Sequence, residues 1–397
     1  MTDNNSDLSD HNLNNQNQTA QYTQNLPSET KDTENPPEYL LGLAKKPELS
    51  PENPDLSDKA DRNGPKAQAK PETDSEAISS AVFSSRSPEK SEAQAAGNNR
   101  KRTLLEWLKI WLRASRAPFF IATVFPLALG YTAAYKLTGT SSPGLFVIIL
   151  LASFSVHLAT NLANDYFEYT QGVDNQNTIG GTRVLQDGVI SPKQIKTALF
   201  ICYSLSFILG IIIVGKNIAL WCLVAIAALS SYFYVAPPVK YGHRALGELS
   251  VFINMGLIMT VGTQAAISGY FIRETCALGL IIAFMVAGIL YYQSLPEIET
   301  DPLSGKITLA VVLGKDRSCL VYLLWWPFIW LLMITVYLAR LVEWPVLLGL
   351  LSIPLHVAAC RRFKTVGNWL ELDKHGHLIR KLYAANSLAL ILGLALR

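Results

Sequence analysis

The sequence predicts an all-α polytopic membrane protein that begins with a polar tail. Half of the 397 residues are hydrophobic and only 16% are charged, yet the mean hydropathy of the chain is a modest +0.22. About nine apolar runs follow one another after residue 103, each close to the 20 residues that a membrane-spanning helix requires. The modest mean therefore averages two segments of opposite character.

The first segment, residues 1–100, is rich in asparagine, glutamine, serine, proline and acidic residues. Such a composition cannot bury enough apolar surface to fold and is typical of disorder. This tail holds 10 basic and 17 acidic residues and the rest of the chain holds 24 and 14, which gives net charges of −7 and +10. No apolar stretch follows an N-terminal basic cluster, so no signal peptide is expected. We predict a disordered acidic tail over 1–100 and a transmembrane domain over 101–397.

The second segment opens with "TLLEWLKIWLRASRAP", in which leucines recur at helical spacing beside tryptophans and basic residues. This pattern predicts a helix that lies in the membrane interface. Hydropathy then places about nine spans, near residues 118–137, 144–164, 196–214, 217–236, 248–269, 276–295, 319–339, 342–360 and 378–396.

Basic residues at the ends of these spans indicate the orientation. With a cytoplasmic N-terminus, 19 lysines and arginines lie on the inner side and 5 on the outer side. Positive charge favours the cytoplasmic face, so we expect a protein of the cytoplasmic (inner) membrane. Its N-terminus and the loops after the second, fourth and sixth spans would face the cytoplasm.

Two acidic clusters fall on that face. The first, in "NLANDYFEYTQGVD", contains residues at spacings that gather side chains on one side of a helix, with a further acid in the loop beyond: Asn161, Asn164, Asp165, Glu168 and Asp174. The second, in "PEIETD", has Glu297 and Asp301 as i, i+4 partners. Acids this close to hydrocarbon are costly unless they are paired, hydrated or bound to a cation.

Carboxylate and amide oxygens suit Mg²⁺, which commonly binds through one or two carboxylates together with substrate phosphates. Basic residues in the same loops could neutralise phosphate oxygens: Arg183, Lys193, Lys240, Arg244 and Lys306. The mixture of both charges favours a reaction site over a surface that only contacts anionic lipid. The five cysteines and six histidines show no spacing typical of a disulfide framework or a zinc site.

The loops resemble those of the UbiA superfamily of intramembrane aromatic prenyltransferases. "NDYFEYTQGVD" is similar to that family's first acidic motif, "EIETD" before "PLSGKITLAVVLG" to its second, and "YVAPPVKYGHRALGE" to its loop after the fourth span. The resemblance covers roughly residues 107–396. Within the superfamily, "GGTRVLQDGVISP" and "GKITLAVVLG" are most similar to 1,4-dihydroxy-2-naphthoate polyprenyltransferases.

The resemblance implies a helical bundle around a cavity and Mg²⁺-dependent transfer of a polyprenyl group from its diphosphate to an aromatic acceptor. The metal ligands it implies are Asn164, Glu168, Asp174, Glu297 and Asp301. The catalytic residues it implies are Asp165, Glu168 and Asp301, and the substrate-binding residues are Arg183, Tyr234, Lys240, Arg244 and Lys306. Glu168 and Glu297 stand where the family usually has aspartate, which shifts a metal-binding oxygen by about one methylene.

Three alternatives remain at this point. The acceptor could instead be hydroxybenzoate or homogentisate. An ion-coupled transporter would also place acids at broken helix ends, although at the midplane rather than at one face. A membrane scaffold acting through its tail would leave the paired acidic clusters unexplained. The expected partners are the two substrates and the lipid bilayer, with no nucleic acid and with protein partners unknown.

Overall fold

A computed structural model describes residues 102–172, 181–215 and 217–397. The acidic tail and Asp174 lie outside these ranges. The described chain forms ten main helices: α1 (Leu104–Ala114), α2 (Ile121–Thr138), α3 (Pro143–Thr170), α4 (Pro192–Val214), α5 (Ile218–Phe233), α6 (Gly247–Ser268), α7 (Arg273–Ser294), α8 (Leu309–Leu338), α9 (Trp344–Thr365) and α10 (Gly376–Ala395).

The fold class predicted from hydropathy is confirmed. Within the described ranges, eight helical segments are long and apolar enough to cross a membrane. The fourth predicted span is the shorter helix α5, whose 16 residues rise about 24 Å against a hydrocarbon core of about 30 Å. Residues 234–236 complete the apolar run as a turn rather than as helix.

Helix α1 has the surface of an interfacial helix. Thr103 and Glu106 form a capping box at its start, which satisfies backbone N–H groups that the first helical turn leaves without partners. Leu104, Leu105 and Leu108 are more than half exposed, so an apolar stripe is available to lipid.

Helix α7 lies at the centre of the bundle and α4 at its periphery. Of the apolar window of each helix, 72% is buried for α7 and 11% for α4. A Cβ at Gly256 of α6 would overlap Ala283 of α7, so the glycine permits the close backbone approach that packs helices in membranes.

A buried amide joins the last three helices. Asn386 of α10 accepts a hydrogen bond from Trp330 Nε1 of α8 at 2.9 Å and donates one to Ser352 Oγ of α9 at 2.8 Å. Polar contacts of this kind hold helices together where lipid provides no hydrophobic driving force.

Helix α8 begins ten residues before the predicted seventh span. Thr308 caps it by accepting a hydrogen bond from Val311 N, and Gly314, at φ 72°, interrupts the helix where a left-handed backbone is required. The first turns of α8 thereby direct the chain from the acidic loop back into the membrane.

Candidate active site

A cavity of about 1120 Å³ lies between helices α2 to α7, with α10 contributing to its wall. Glu168 and Ile149 both line it and lie 19 residues apart on α3, which corresponds to about 28 Å along the helix. The wall is charged near Glu168, whereas near Ile149 it consists of apolar residues such as Val214 and Leu220. The cavity is therefore an apolar chamber with one charged end.

A single ammonium group joins the two acidic clusters at the charged end. Lys306 Nζ lies 3.3 Å from Glu297 Oε2, 3.3 Å from Asp301 Oδ1 and 3.8 Å from Glu168 Oε1. We call these four residues the Lys306 cluster. Glu168 and Asp301 are buried, so the ammonium offsets carboxylate charge that water cannot reach freely.

The loops that form the cluster are joined by backbone hydrogen bonds. Ile307 N donates to His243 O at 3.1 Å, and Ala245 N donates to Ile307 O at 2.7 Å. These two bonds form a short parallel bridge between the loop after α5 and the segment before α8. The bridge places the side chains of His243 and Lys306 beside the end of α3.

Two further side chains hold the Glu168 carboxylate. Asn164 Nδ2 donates to its Oε2 at 2.6 Å from one helical turn earlier, and His243 Nε2 lies 3.2 Å from its Oε1. With Lys306, the carboxylate has three partners, one from each of three segments. Its position is therefore determined by tertiary packing as well as by α3.

Burial and charge interactions shift the pKa values of Asp301 and Lys306, the loop members of the cluster. Burial raises the pKa of the Asp301 carboxyl to about 7; Lys306 opposes this shift and Glu297 adds to it. Burial by itself lowers the pKa of Lys306, but Glu168, Glu297 and Asp301 together hold that pKa well above its usual value. The cluster thus contains more negative charge than its one ammonium can offset.

Asp165 belongs to a neighbouring contact. Arg116 Nη2 lies 2.7 Å from Asp165 Oδ1, and the Thr182 hydroxyl donates to the other carboxylate oxygen. This contact, in which Asp165 is buried and Arg116 is partly buried, joins the residues before α2 to α3 and to the loop that follows α3. Arg116 and Thr182, but not Asp165 itself, line the cavity among the described residues.

Tyr234 lies in the cavity wall at the end of α5, and its ring packs edge-to-face on Tyr241 at 5.5 Å. A Cβ at Gly242 would come within 2.8 Å of the Tyr234 ring, so the loop backbone can approach the ring only as glycine. Tyr241 in turn donates a hydrogen bond to Ser230 O, which ties the loop to α5.

A sequence model of the UbiA prenyltransferase family matches residues 123–366. The chain belongs to this family. It is therefore a membrane-embedded prenyltransferase, as the loop motifs predict, and the matched residues include both acidic clusters and the bridge between the loops.

Family relatives agree with this assignment. The 1,4-dihydroxy-2-naphthoate octaprenyltransferase of Haemophilus influenzae is 29% identical over 274 residues, which cover 64% of this chain and 85% of that enzyme. The 2-carboxy-1,4-naphthoquinone phytyltransferase of Synechocystis is 26% identical and covers 64% of this chain and 82% of its own length. A solved UbiA homologue from Aeropyrum pernix K1 has a TM-score of 0.53 at 17% identity, covering 69% and 97% of the two chains, and thus shares the fold.

The structure brings together some of the predicted site residues and separates others. The cavity wall includes Asn164, Glu168, Arg183, Tyr234, Glu297 and Lys306. Asp301 contacts Lys306, Lys240 is half-buried and Arg244 is exposed. None of Asp301, Lys240 and Arg244 lines the cavity in the described chain. Asp174 falls outside the described residues.

Sequence reasoning missed His243, Arg116 and Arg380, all of which line the cavity. His243 lies inside the loop motif between two basic residues, but its contact with Glu168 spans 75 positions. Arg380 could have been identified from the sequence, because a charged residue at the start of an apolar span is a candidate functional residue.

The donor chemistry of the Lys306 cluster fits Mg²⁺. No three histidine, cysteine or acidic side chains form a preformed cage in residues 102–172, 181–215 and 217–397. Mg²⁺ does not require one, since it binds through one or two carboxylates plus phosphate and water oxygens. Asp301 Oδ2 is buried with no hydrogen-bond partner among the described residues, and such an oxygen gains from an added cation.

Replacing Lys306 with glutamine is expected to destabilise the protein. Three carboxylates would lose their shared cation, and an uncompensated buried charge costs about 3 kcal/mol. The measurement is unfolding in detergent without divalent cations. Lys315→Gln is the control, because Lys315 also pairs with an acid, Glu299, but is 41% exposed and contributes at most about 1 kcal/mol. Equal unfolding free energies for the two variants would contradict the role given to Lys306.

Proposed function

We propose that this prenyltransferase transfers a polyprenyl group from an isoprenoid diphosphate to 1,4-dihydroxy-2-naphthoate, a step of menaquinone synthesis. The observation that carries the proposal is the Lys306 cluster at the charged end of a long apolar cavity. A diphosphate attached to a hydrocarbon chain has the same division of polarity. The two relatives named for naphthalene-ring acceptors support this acceptor over hydroxybenzoate and homogentisate.

The metal in this proposal is Mg²⁺, held by Asn164, Glu168, Glu297 and Asp301, with Asp174 as a further ligand. When bound, Mg²⁺ would stabilise negative charge on the departing diphosphate. Within the protein, Lys306 and Arg183 would bind diphosphate oxygens, since both cations line the charged end of the cavity. Asp165 would act indirectly by holding Arg116 at the cavity wall.

The reaction breaks the bond between the prenyl carbon and the diphosphate oxygen, and the diphosphate leaves with the electron pair. The acceptor ring supplies the electrons of the new carbon–carbon bond. The attacked ring carbon then loses its own substituent without the bonding electrons, as a proton or, at the carbon that carries the carboxylate, as carbon dioxide. Loss of the diphosphate leaves an allylic cation that water would quench, so exclusion of water is part of the mechanism. The apolar wall and the Tyr234 ring at its charged end would provide that exclusion.

Purified protein in detergent is expected to transfer geranylgeranyl or longer chains to 1,4-dihydroxy-2-naphthoate, and to lose activity when Mg²⁺ is chelated. Asp301→Asn should lower kcat by about 100-fold or more, because charge stabilisation in the transition state depends on this carboxylate. Asp316→Asn, an exposed acid on α8, is the matched control. If only hydroxybenzoate or homogentisate gave product, that compound would replace 1,4-dihydroxy-2-naphthoate as the proposed acceptor. If none of the acceptors gave product, the proposal would be contradicted.

We also propose that the charged end of the cavity faces the cytoplasm, in the inner membrane, with the N-terminus on the same side. The support is the excess of basic residues at that end. A variant without the five native cysteines would carry either Leu303→Cys or Tyr270→Cys, both exposed. An impermeant maleimide should label only Tyr270→Cys in intact cells and both after permeabilisation. The reverse labelling would overturn the orientation.

A further inference from the structure

Five cationic side chains of lysine or arginine line the cavity in the described chain: Arg113, Arg116, Arg183, Lys306 and Arg380. The first four each have a carboxylate within 4 Å, since Arg113 and Arg183 contact Asp187, Arg116 contacts Asp165, and Lys306 has its cluster. Arg380 has no carboxylate within that distance among the residues described. Asp373 also lines the cavity, but it is exposed and lies beyond ion-pair distance of Arg380.

Local packing holds the Arg380 guanidinium beside an aromatic ring. Arg380 lies on the second turn of α10, and its guanidinium carbon is 5.2 Å from the centroid of the Phe119 ring, within cation–π range. Gly376 lies one turn earlier, and a Cβ there would be in ordinary van der Waals contact with Arg380 Nη1, at 3.4 Å. Phe119 is itself part of the cavity wall.

An unpaired guanidinium in a membrane cavity is costly, which favours an anion as its occupant. A planar guanidinium binds a carboxylate through two parallel hydrogen bonds and also stacks on aromatic faces. In the proposed function, the diphosphate binds to the Lys306 cluster and its metal. The anion that Arg380 binds would therefore belong to the second substrate, the acceptor. An aromatic acid would supply both a carboxylate that accepts these hydrogen bonds and an aromatic face beside the guanidinium.

We propose that Arg380, held over Phe119, binds the carboxylate of an aromatic acid acceptor and thereby selects acidic acceptors. This inference rests on the proposed function, because it assigns one of the two substrates of that reaction to α10.

The test compares 1,4-dihydroxy-2-naphthoate with 1,4-dihydroxynaphthalene, which lacks only the carboxylate. Binding of each to the purified full-length protein is titrated under reducing conditions. Wild type should bind the acid more tightly. Arg380→Gln should weaken binding of the acid by about 10-fold to 100-fold, the loss expected for hydrogen bonds to a charged group, and leave the diol unchanged. Arg380→Lys should retain part of the preference.

Lys381→Gln is the matched control, since Lys381 is the exposed neighbour of Arg380 and does not line the cavity in the described chain. It should bind both compounds as wild type does. In the transfer assay, Arg380→Gln should raise the KM for the acid acceptor and leave the KM for the prenyl diphosphate unchanged.

Two results would overturn the inference. One is a wild-type protein that binds acid and diol equally, a comparison that needs no variant to fold. The other is an Arg380→Gln variant that weakens both compounds alike or raises the KM for the diphosphate. Failure of this inference can be told apart from failure of the proposed function. The binding titration tests the preference that depends on Arg380, whereas the transfer assay tests prenyl transfer.

Discussion

The need to offset three carboxylates at the end of a membrane cavity is the constraint on which the site depends. Glu168 comes from a membrane helix, whereas Glu297 and Asp301 come from a loop 129 and 133 positions later in the chain, and Lys306 contacts all three. Breaking such contacts leaves buried charge without compensation. The backbone bridge at Ile307 and the Thr308 cap of α8 both position this one ammonium group.

The same constraint explains why the cluster is suited to exchange partners. Its negative charge exceeds its positive charge, and Asp301 retains a carboxylate oxygen with no described hydrogen-bond partner. A divalent cation would compensate the carboxylates, and Lys306 would then be available to phosphate oxygens. Lys306 offsets part of the carboxylate charge before binding, so the protein can hold this acidic site near hydrocarbon without a ligand.

Much of the fold could be predicted because hydrophobic runs of sufficient length have few structures available in a bilayer. The errors are local: α5 ends early at the turn over residues 234–236, and α8 starts early because Thr308 caps it. The site was predictable where residues share one helix or one loop, as for Asn164 with Glu168. Helical spacing also grouped Asp165 with them, but the nearby Arg116 pairs with Asp165 instead. His243 was missed because its contact with Glu168 forms only when distant segments of the chain meet.

The most direct test of the account is a structure with Mg²⁺ and an unreactive prenyl thiodiphosphate. We predict metal density on the carboxylates of Glu168, Glu297 and Asp301, hydrocarbon along the wall towards Ile149, and Lys306 Nζ moved to hydrogen-bonding distance of a phosphate oxygen. A diphosphate bound elsewhere, with Lys306 still paired to all three carboxylates, would contradict it.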